Sequence, residues 1–195
     1  IEEDYRKIPE EANVIIRAHG VPKEVYEYLK EANIYSLDMT CPFVTKIHKI
    51  VSEIPKGNSL LLVAGDADHP EVIGICSFAE CEYRVFRNAD ELNDILTQFL
   101  DTCPDIHVYV VSQTTFSIAE WEKSLNIINL LCTNPTVFDT ICKATHERQA
   151  EADRLSKECD AMIVIGSTHS SNTVKLDNIC KENCKTCLIE SAKEL

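Results

Sequence analysis

Short apolar runs alternate with amphipathic segments along nearly the whole chain, and this pattern limits the fold more than any other feature. "NVIIRA" (13–18) precedes "PKEVYEYLKEA" (22–32), and "SLLLVAG" (59–65) precedes "HPEVIGICSFA" (69–79). "DIHVYVVS" (105–112) precedes "SIAEWEKSLNIINLL" (117–131), and "AMIVIGS" (161–167) precedes "SNTVKLDNICKEN" (171–183). Continuous runs of this length are buried strands, and the segments after them carry helical periodicity. Strand followed by crossover helix is the unit of a mainly parallel α/β fold. In such sheets ligands bind outside the carboxyl ends of the strands, so the strand-to-helix loops are where chemistry is expected.

Those loops read "AHGVPKE" (18–24), "GDADHPEV" (65–72), "SQTTFS" (112–117) and "GSTHSSNT" (166–173). They are rich in His, Ser, Thr and Asn and hold almost no Lys or Arg. Hydroxyls, imidazoles and N–H groups at helix N-termini are donors suited to an anion such as a phosphate. Each Ser or Thr could equally cap its own helix. Neither a P-loop nor a G-x-G-x-x-G is present, so ordinary nucleotide binding has no motif behind it.

A different joint carries a thiol. In "SLDMTCPFVTKIH" (36–48), Cys41 falls at the end of a strand and Pro42 suits the first helical turn, which predicts Cys41 at or just before the N-cap. Cysteine is a poor cap, so capping does not explain it, whereas a thiolate there would face the positive end of a helix. The unit recurs. "YSLDMTCPFVTKIHKIVSEI" (35–54) aligns with "TVFDTICKATHERQAEADRL" (136–155), superposing Asp38 on Asp139 and Cys41 on Cys142. Two D-x-x-C units at equivalent strand ends point to two thiolates aimed at a shared pseudo-symmetric centre. Two inert, half-buried thiols are the plainer alternative.

Composition removes other classes. The chain has 195 residues, 45% hydrophobic, with a net charge of −13. That charge argues against a nucleic-acid surface, which needs clustered Lys and Arg. No apolar run approaches the roughly 18 residues of a membrane span. Ten cysteines in an α/β pattern without a secretory leader predict reduced thiols and a cytoplasmic setting. Cys159, Cys180, Cys184 and Cys187 could seat zinc, although "CKENCKTC" (180–187) lies at the back of a helix, away from the ligand-facing loops. Cys76, Cys81, Cys103 and Cys132 show no regular pairing, and His48, His107 and His146 are expected to be surface or structural residues.

Taken in order, "AHGVP", "DMTCPFV", "DHPEV", "SQTT", "DTICKAT" and "GSTHSSNT" resemble the 4-hydroxy-3-methylbut-2-enyl diphosphate reductase (LytB) family over essentially the whole chain. The resemblance implies three pseudo-symmetric α/β units in a trefoil-like arrangement around a central [4Fe–4S] cluster held by three cysteines. Cys41 and Cys142 match the second and third of these, and the first lies upstream of residue 1. One iron is left without a protein ligand and open to the substrate. By the same resemblance Glu71 is the proton donor, within hydrogen-bond reach of Thr114, although Glu71 could be only a first-turn acid favoured by the helix dipole. His19, His69, Ser170 and Asn172, with Thr114, Thr115 and Ser171 alongside, are the expected substrate ligands. The diphosphate is then anchored without a lysine, by histidines that its charge would tend to protonate.

The resemblance also implies a small electron donor such as ferredoxin or flavodoxin. Residues 1–40 are expected to finish a first unit, 41–137 to form a second and 138–195 to begin a third. Both ends read as falling within a unit, so the chain is expected to be a piece of the enzyme and inactive alone. A metal-free phosphosugar-binding or isomerase-like module and a zinc-stabilised structural domain are the alternatives from other classes.

Overall fold

The β3 strand, Ser59–Ala64, is buried along its whole length, with Leu60 to Ala64 fully inaccessible. A strand of this kind has cover on both faces, as the unbroken run "SLLLVA" predicts. In a computed structural model, which describes every residue except Ile1, Glu3 and Leu195, it lies inside a four-stranded parallel sheet. Its neighbours are β4 (Glu82–Phe86) and β5 (His107–Ser112), and β5 pairs in turn with β6 (Thr136–Val137). Two further parallel pairs are formed by β1 (Asn13–Ile16) with β2 (Tyr35–Asp38) and by β7 (Ala161–Ile165) with β8 (Lys185–Ile189). The chain is therefore an α/β protein with parallel sheets.

Helices connect successive strands: α1 (Lys23–Glu31), α2 (Pro42–Ser52), α3 (Pro70–Ser77), α4 (Ala89–Thr102), α5 (Ile118–Leu131), α6 (Lys143–Glu158) and α7 (Ser171–Asn183). The stretch 82–102, which the apolar alternation passes over, forms β4 and α4. Its signals are local. Asn88 caps α4 by accepting the Glu91 N–H at 2.9 Å, and the Glu91 carboxylate accepts the Arg87 N–H at 2.8 Å. Among the described residues, no helix is long and apolar enough to cross a membrane.

The chain divides into two compact units, Ile1–Gln113 with Ser124–Thr140, and Thr114–Lys123 with Ile141–Leu195. The first holds the apolar core. On α2, Val44, Ile47, His48 and Val51 are buried, the i, i+3, i+4, i+7 stripe of a helix facing a sheet. Ile47 and Val51 join Leu61, Val63, Val72, Ile75 and Val111 in one cluster. The second unit is more polar inside. The buried residues of α6 are Thr145, Gln149 and Ser156, and its surface carries ion pairs from Arg154 to Glu151 (2.8 Å) and Glu158 (2.9 Å).

Candidate functional site

In the first unit the candidate residues gather where β1, β2 and β3 end. The Cys41 N–H donates to the carbonyl of Ala18 at 3.0 Å, which binds the turn carrying His19 to the start of α2. Cys41 is the N-cap of α2, with Pro42 behind it and φ,ψ of −56°, 133°; its thiol makes no capping hydrogen bond. Ahead of it, the Asp38 carboxylate accepts both the Thr40 N–H, at 2.9 Å, and the Thr40 hydroxyl. Thr40 Oγ1 in turn lies 3.0 Å from the Tyr26 hydroxyl, which donates to it. Aspartate in the D-x-x-C unit thus ties the loop that presents the cysteine.

His19 and His69 are brought together, their rings edge-to-face at 5.4 Å between centroids. His69 caps α3, its Nδ1 accepting the Glu71 N–H at 3.1 Å. A ring nitrogen that accepts carries no proton, so this bond assigns the ring's N–H to Nε2. Glu71 is 2% exposed. A first-turn acid serving only the helix dipole would sit in water, so burial separates Glu71 from that simpler role.

His48 is a member of this region that sequence reading left aside. It is buried on α2, stacked on Phe78 at 4.3 Å, and its pKa is lowered to about 4 by burial, with Asp38 pulling the other way. Its Nε2 has no hydrogen-bond partner. The ring wedges against two glycines: a Cβ on Gly20 would stand 2.9 Å from His48 Cε1, and one on Gly74 would stand 3.4 Å from Nε2. Gly20, at φ +73°, is thus required both by backbone conformation and by space. One imidazole keys α2 to the His19 turn and to α3.

The second unit repeats the cysteine arrangement. Cys142 is the N-cap of α6 at φ,ψ −66°, 137°, again with no side-chain cap, and its N–H donates to the Thr114 carbonyl at 3.0 Å. Ala18 and Thr114 each lie two residues past a strand, so His19 and Thr115, the residues after them, hold equivalent places. The Thr115 hydroxyl donates to Ser171 Oγ at 3.1 Å. Ser170 caps α7 by accepting the Thr173 N–H at 3.3 Å, and Asn172 Oδ1 is buried with no partner. Exchanging the amide oxygen and nitrogen would turn that position into a donor. Gly166 leaves room for Thr173, whose Oγ1 would lie 2.6 Å from a Cβ there. Glu190 closes the loop behind, accepting the Thr168 N–H at 3.0 Å, and that bond, with another from the Ser167 hydroxyl and the electrostatic attraction of His169, holds its carboxyl below the usual range.

The loops themselves lack a cation, yet Lys175, a turn into α7, places Nζ 3.1 Å from Ser171 Oγ and 2.6 Å from the Thr115 carbonyl. An i, i+4 pair on α7 was the available signal. Glu71 and Thr114 fall in different compact units, as do Cys41 and Cys142.

The alternative zinc ligands do not converge. Cys159 and Cys187 are exposed, Cys180 is buried against the Ala152 carbonyl, and Cys184 ends α7 near Thr186. Among the described residues no three His, Cys, Asp or Glu side chains group as a metal site. Cys41 and Cys142 fit a cluster better by chemistry. Both are half-buried thiols at helix N-termini, and neither is used by its own cap.

A family model described as LytB protein matches residues 1–195. The chain is 40% identical over 195 residues to a 4-hydroxy-3-methylbut-2-enyl diphosphate reductase from Caldanaerobacter subterraneus subsp. tengcongensis, with 100% of this chain and 65% of that protein covered. It is 43% identical over 196 residues to one from Thermoanaerobacter sp. strain X514, with the same coverage. The solved structure of the E-1-hydroxy-2-methyl-but-2-enyl-4-diphosphate reductase from Plasmodium falciparum superposes on it with a TM-score of 0.86 at 26% identity, covering 100% of this chain and 60% of that one. The chain thus spans less than two thirds of the length of these proteins.

Proposed function

The chain belongs to the LytB family, and from that membership we propose that it forms most of the active site of a 4-hydroxy-3-methylbut-2-enyl diphosphate reductase. The observation that carries this is the pair of cysteines, Cys41 and Cys142, held at helix N-caps by the same backbone hydrogen bond and left unused as caps. We assign them as two of three ligands to a [4Fe–4S] cluster, the third lying outside these 195 residues. When bound, such a cluster supplies electrons one at a time and an iron open to the substrate. The three-unit division, with boundaries near residues 40 and 137, is part of the same proposal, one parallel sheet marking each unit.

In the proposed reaction two electrons and two protons convert the allylic alcohol into isopentenyl or dimethylallyl diphosphate and water. The C–O bond breaks, the hydroxyl leaves as water on taking one proton, and the second proton goes to carbon. Glu71 gives the first proton to the hydroxyl oxygen, and Thr114 is assigned to the same step. The burial of Glu71 supports this role, because a carboxyl shielded from water can meet the substrate in place of the solvent. His19, His69, Thr115, Ser170, Ser171 and Asn172 bind the diphosphate, His69 through Nε2–H. Electrons come from a small carrier of the ferredoxin or flavodoxin type.

Anaerobic reconstitution of a chain that includes the third cysteine tests the reading. A brown protein absorbing near about 400 nm, as thiolate-bound clusters do, should lose its colour on Cys41→Ser and on Cys142→Ser. Colour retained in both variants would refute the assignment. Glu71→Gln in the same protein should still bind substrate while turnover falls by roughly 10²–10⁴-fold, the usual loss with a general acid; near-normal turnover would remove Glu71 from the chemistry.

A further inference from the structure

We infer that His48 is a positioning residue for the site, its ring being the spacer that sets the His19 turn against the face of α3 carrying Glu71. The inference rests on the substrate reading proposed above and adds to it a residue outside the proposed ligand set. On α2, His48 lies seven residues, about two helical turns, past Cys41. Its ring stacks on Phe78, with 4.3 Å between centroids and 18° between planes. The Cε1 edge fills the space over Gly20, where a Cβ would stand 2.9 Å away, and Nε2 fills that over Gly74, at 3.4 Å. Residues 71, 74 and 78 follow the i, i+3, i+7 spacing of one helix face, so His48 packs on the side of α3 that carries Glu71, one turn below it.

The turn between His19 and α1 is tied at both ends, which leaves its middle as the place where position is decided. At one end the Cys41 N–H donates to the Ala18 carbonyl at 3.0 Å. At the other the Lys23 N–H donates to Ser77 Oγ at 2.8 Å, and that hydroxyl donates to the Gly74 carbonyl at 2.6 Å. Between them stands Gly20, beside His19, with the His48 ring over its Cα. Without the ring the turn would keep its tethers and lose its support. His19, whose ring meets His69 edge-to-face at 5.4 Å, would then shift against His69 and Glu71. The support is one of shape: a flat ring fits between the face of Phe78 and two residues that lack Cβ atoms. Among the described residues Nε2 has no hydrogen-bond partner, and burial lowers the pKa to about 4, so the ring is uncharged near neutral pH.

A purely structural role would make His48 core filling, whose loss lowers stability and leaves the folded site as it was. The reconstituted protein that includes the third cysteine separates the two roles. Binding of inorganic diphosphate is followed by calorimetry and turnover is measured alongside, both well below the melting temperature of each variant. His48→Ala is expected to weaken diphosphate binding about 10-fold, the loss of one bond to a charged group. It should also lower kcat by up to roughly 10²-fold, as a misplacement of about 1 Å does. His48→Phe keeps a ring on Phe78 and should recover most of both. Gly20→Ala puts a methyl carbon against Cε1, and its strain at φ +73° is the same in either background, so a double-mutant cycle with His48→Ala isolates the contact. In that cycle Gly20→Ala should weaken binding less with His48→Ala than in the parent. Circular dichroism identifies an unfolded variant, and His48→Val then takes the place of His48→Ala. Binding and kcat within twofold of the parent in His48→Ala, no recovery in His48→Phe, or costs that add in the cycle would each overturn the role of His48 and leave the site reading intact. Failure of the parent protein itself to bind diphosphate would overturn both.

Discussion

Cys41 and Cys142 are presented in the same way and supported in opposite ways. Each caps a helix with nearly identical backbone angles, and each donates its N–H to a carbonyl two residues past a strand. Beneath Cys41, however, α2 buries Ile47 and Val51 in an apolar cluster and wedges His48 between two glycines. Beneath Cys142, α6 buries Gln149, whose amide accepts the Ile118 N–H and donates to the Phe116 carbonyl, both at 3.0 Å. One cysteine is held by dispersion and desolvation, the other by directional hydrogen bonds. A short strand–thiol–helix joint needs only local geometry, so it recurs on unlike foundations.

Three perturbations should separate the two foundations, and hydrogen exchange of α2 against α6 amides can follow each. Ile47→Ala is expected to have the largest effect, about 2–5 kcal/mol, because the methylenes lost come from a close-packed cluster. Protection should fall in α2 and hold in α6; equal loss in both helices would mean that the foundations are not separate. Gln149→Ala removes both hydrogen bonds of the amide, to the Ile118 N–H and the Phe116 carbonyl, at about 1–3 kcal/mol each. Here α6 should loosen while α2 is unchanged, and an unaltered α6 would show that water replaces the amide at no cost.

The smallest effect is expected from mild acid. The pKa of His48 falls from 6.5 to about 4 on folding, so the unfolded chain takes up the proton first. The contribution of the neutral ring is complete above 6.5 and declines as pH falls toward 4. It falls by about 1 kcal/mol between pH 6.5 and 5.5. On α6, Arg154 and Lys157 hold the carboxyls of Glu151 and Asp153 below their usual values of 4.5 and 3.8, so their contribution is lost only in stronger acid. Between pH 6.5 and 4.5 α2 should therefore weaken selectively, and His48→Gln should flatten the dependence. A slope that survives that substitution would assign it to other groups.

Apolar strands show the same division between local and distant causes. "SLLLVA" and "AMIVI" read alike as buried parallel strands. In β3 every residue is covered, whereas in β7 Ile163 and Ile165 are 51% and 72% exposed. Hydrophobicity states that a strand can be buried, and only its neighbours decide on how many faces. The exposed faces of Ile15, Tyr35 and Leu37 on β1 and β2 make the same point.

From the sequence alone came what depends on residues close along the chain. Strand–helix alternation, the N-cap position of both cysteines, the D-x-x-C repeat and the family all rest on short motifs whose geometry follows from a few successive dihedrals. Tertiary structure decided what depends on residues far apart. His48 meets Gly20 and Gly74, Lys175 reaches Thr115 across 60 positions, and His19 faces His69. Such encounters are set by how helices pack on sheets, and side chains so placed carry no periodicity or spacing that marks them in advance. The tautomer of His69 belongs to the same class, since it follows from a cap that exists only once α3 has formed.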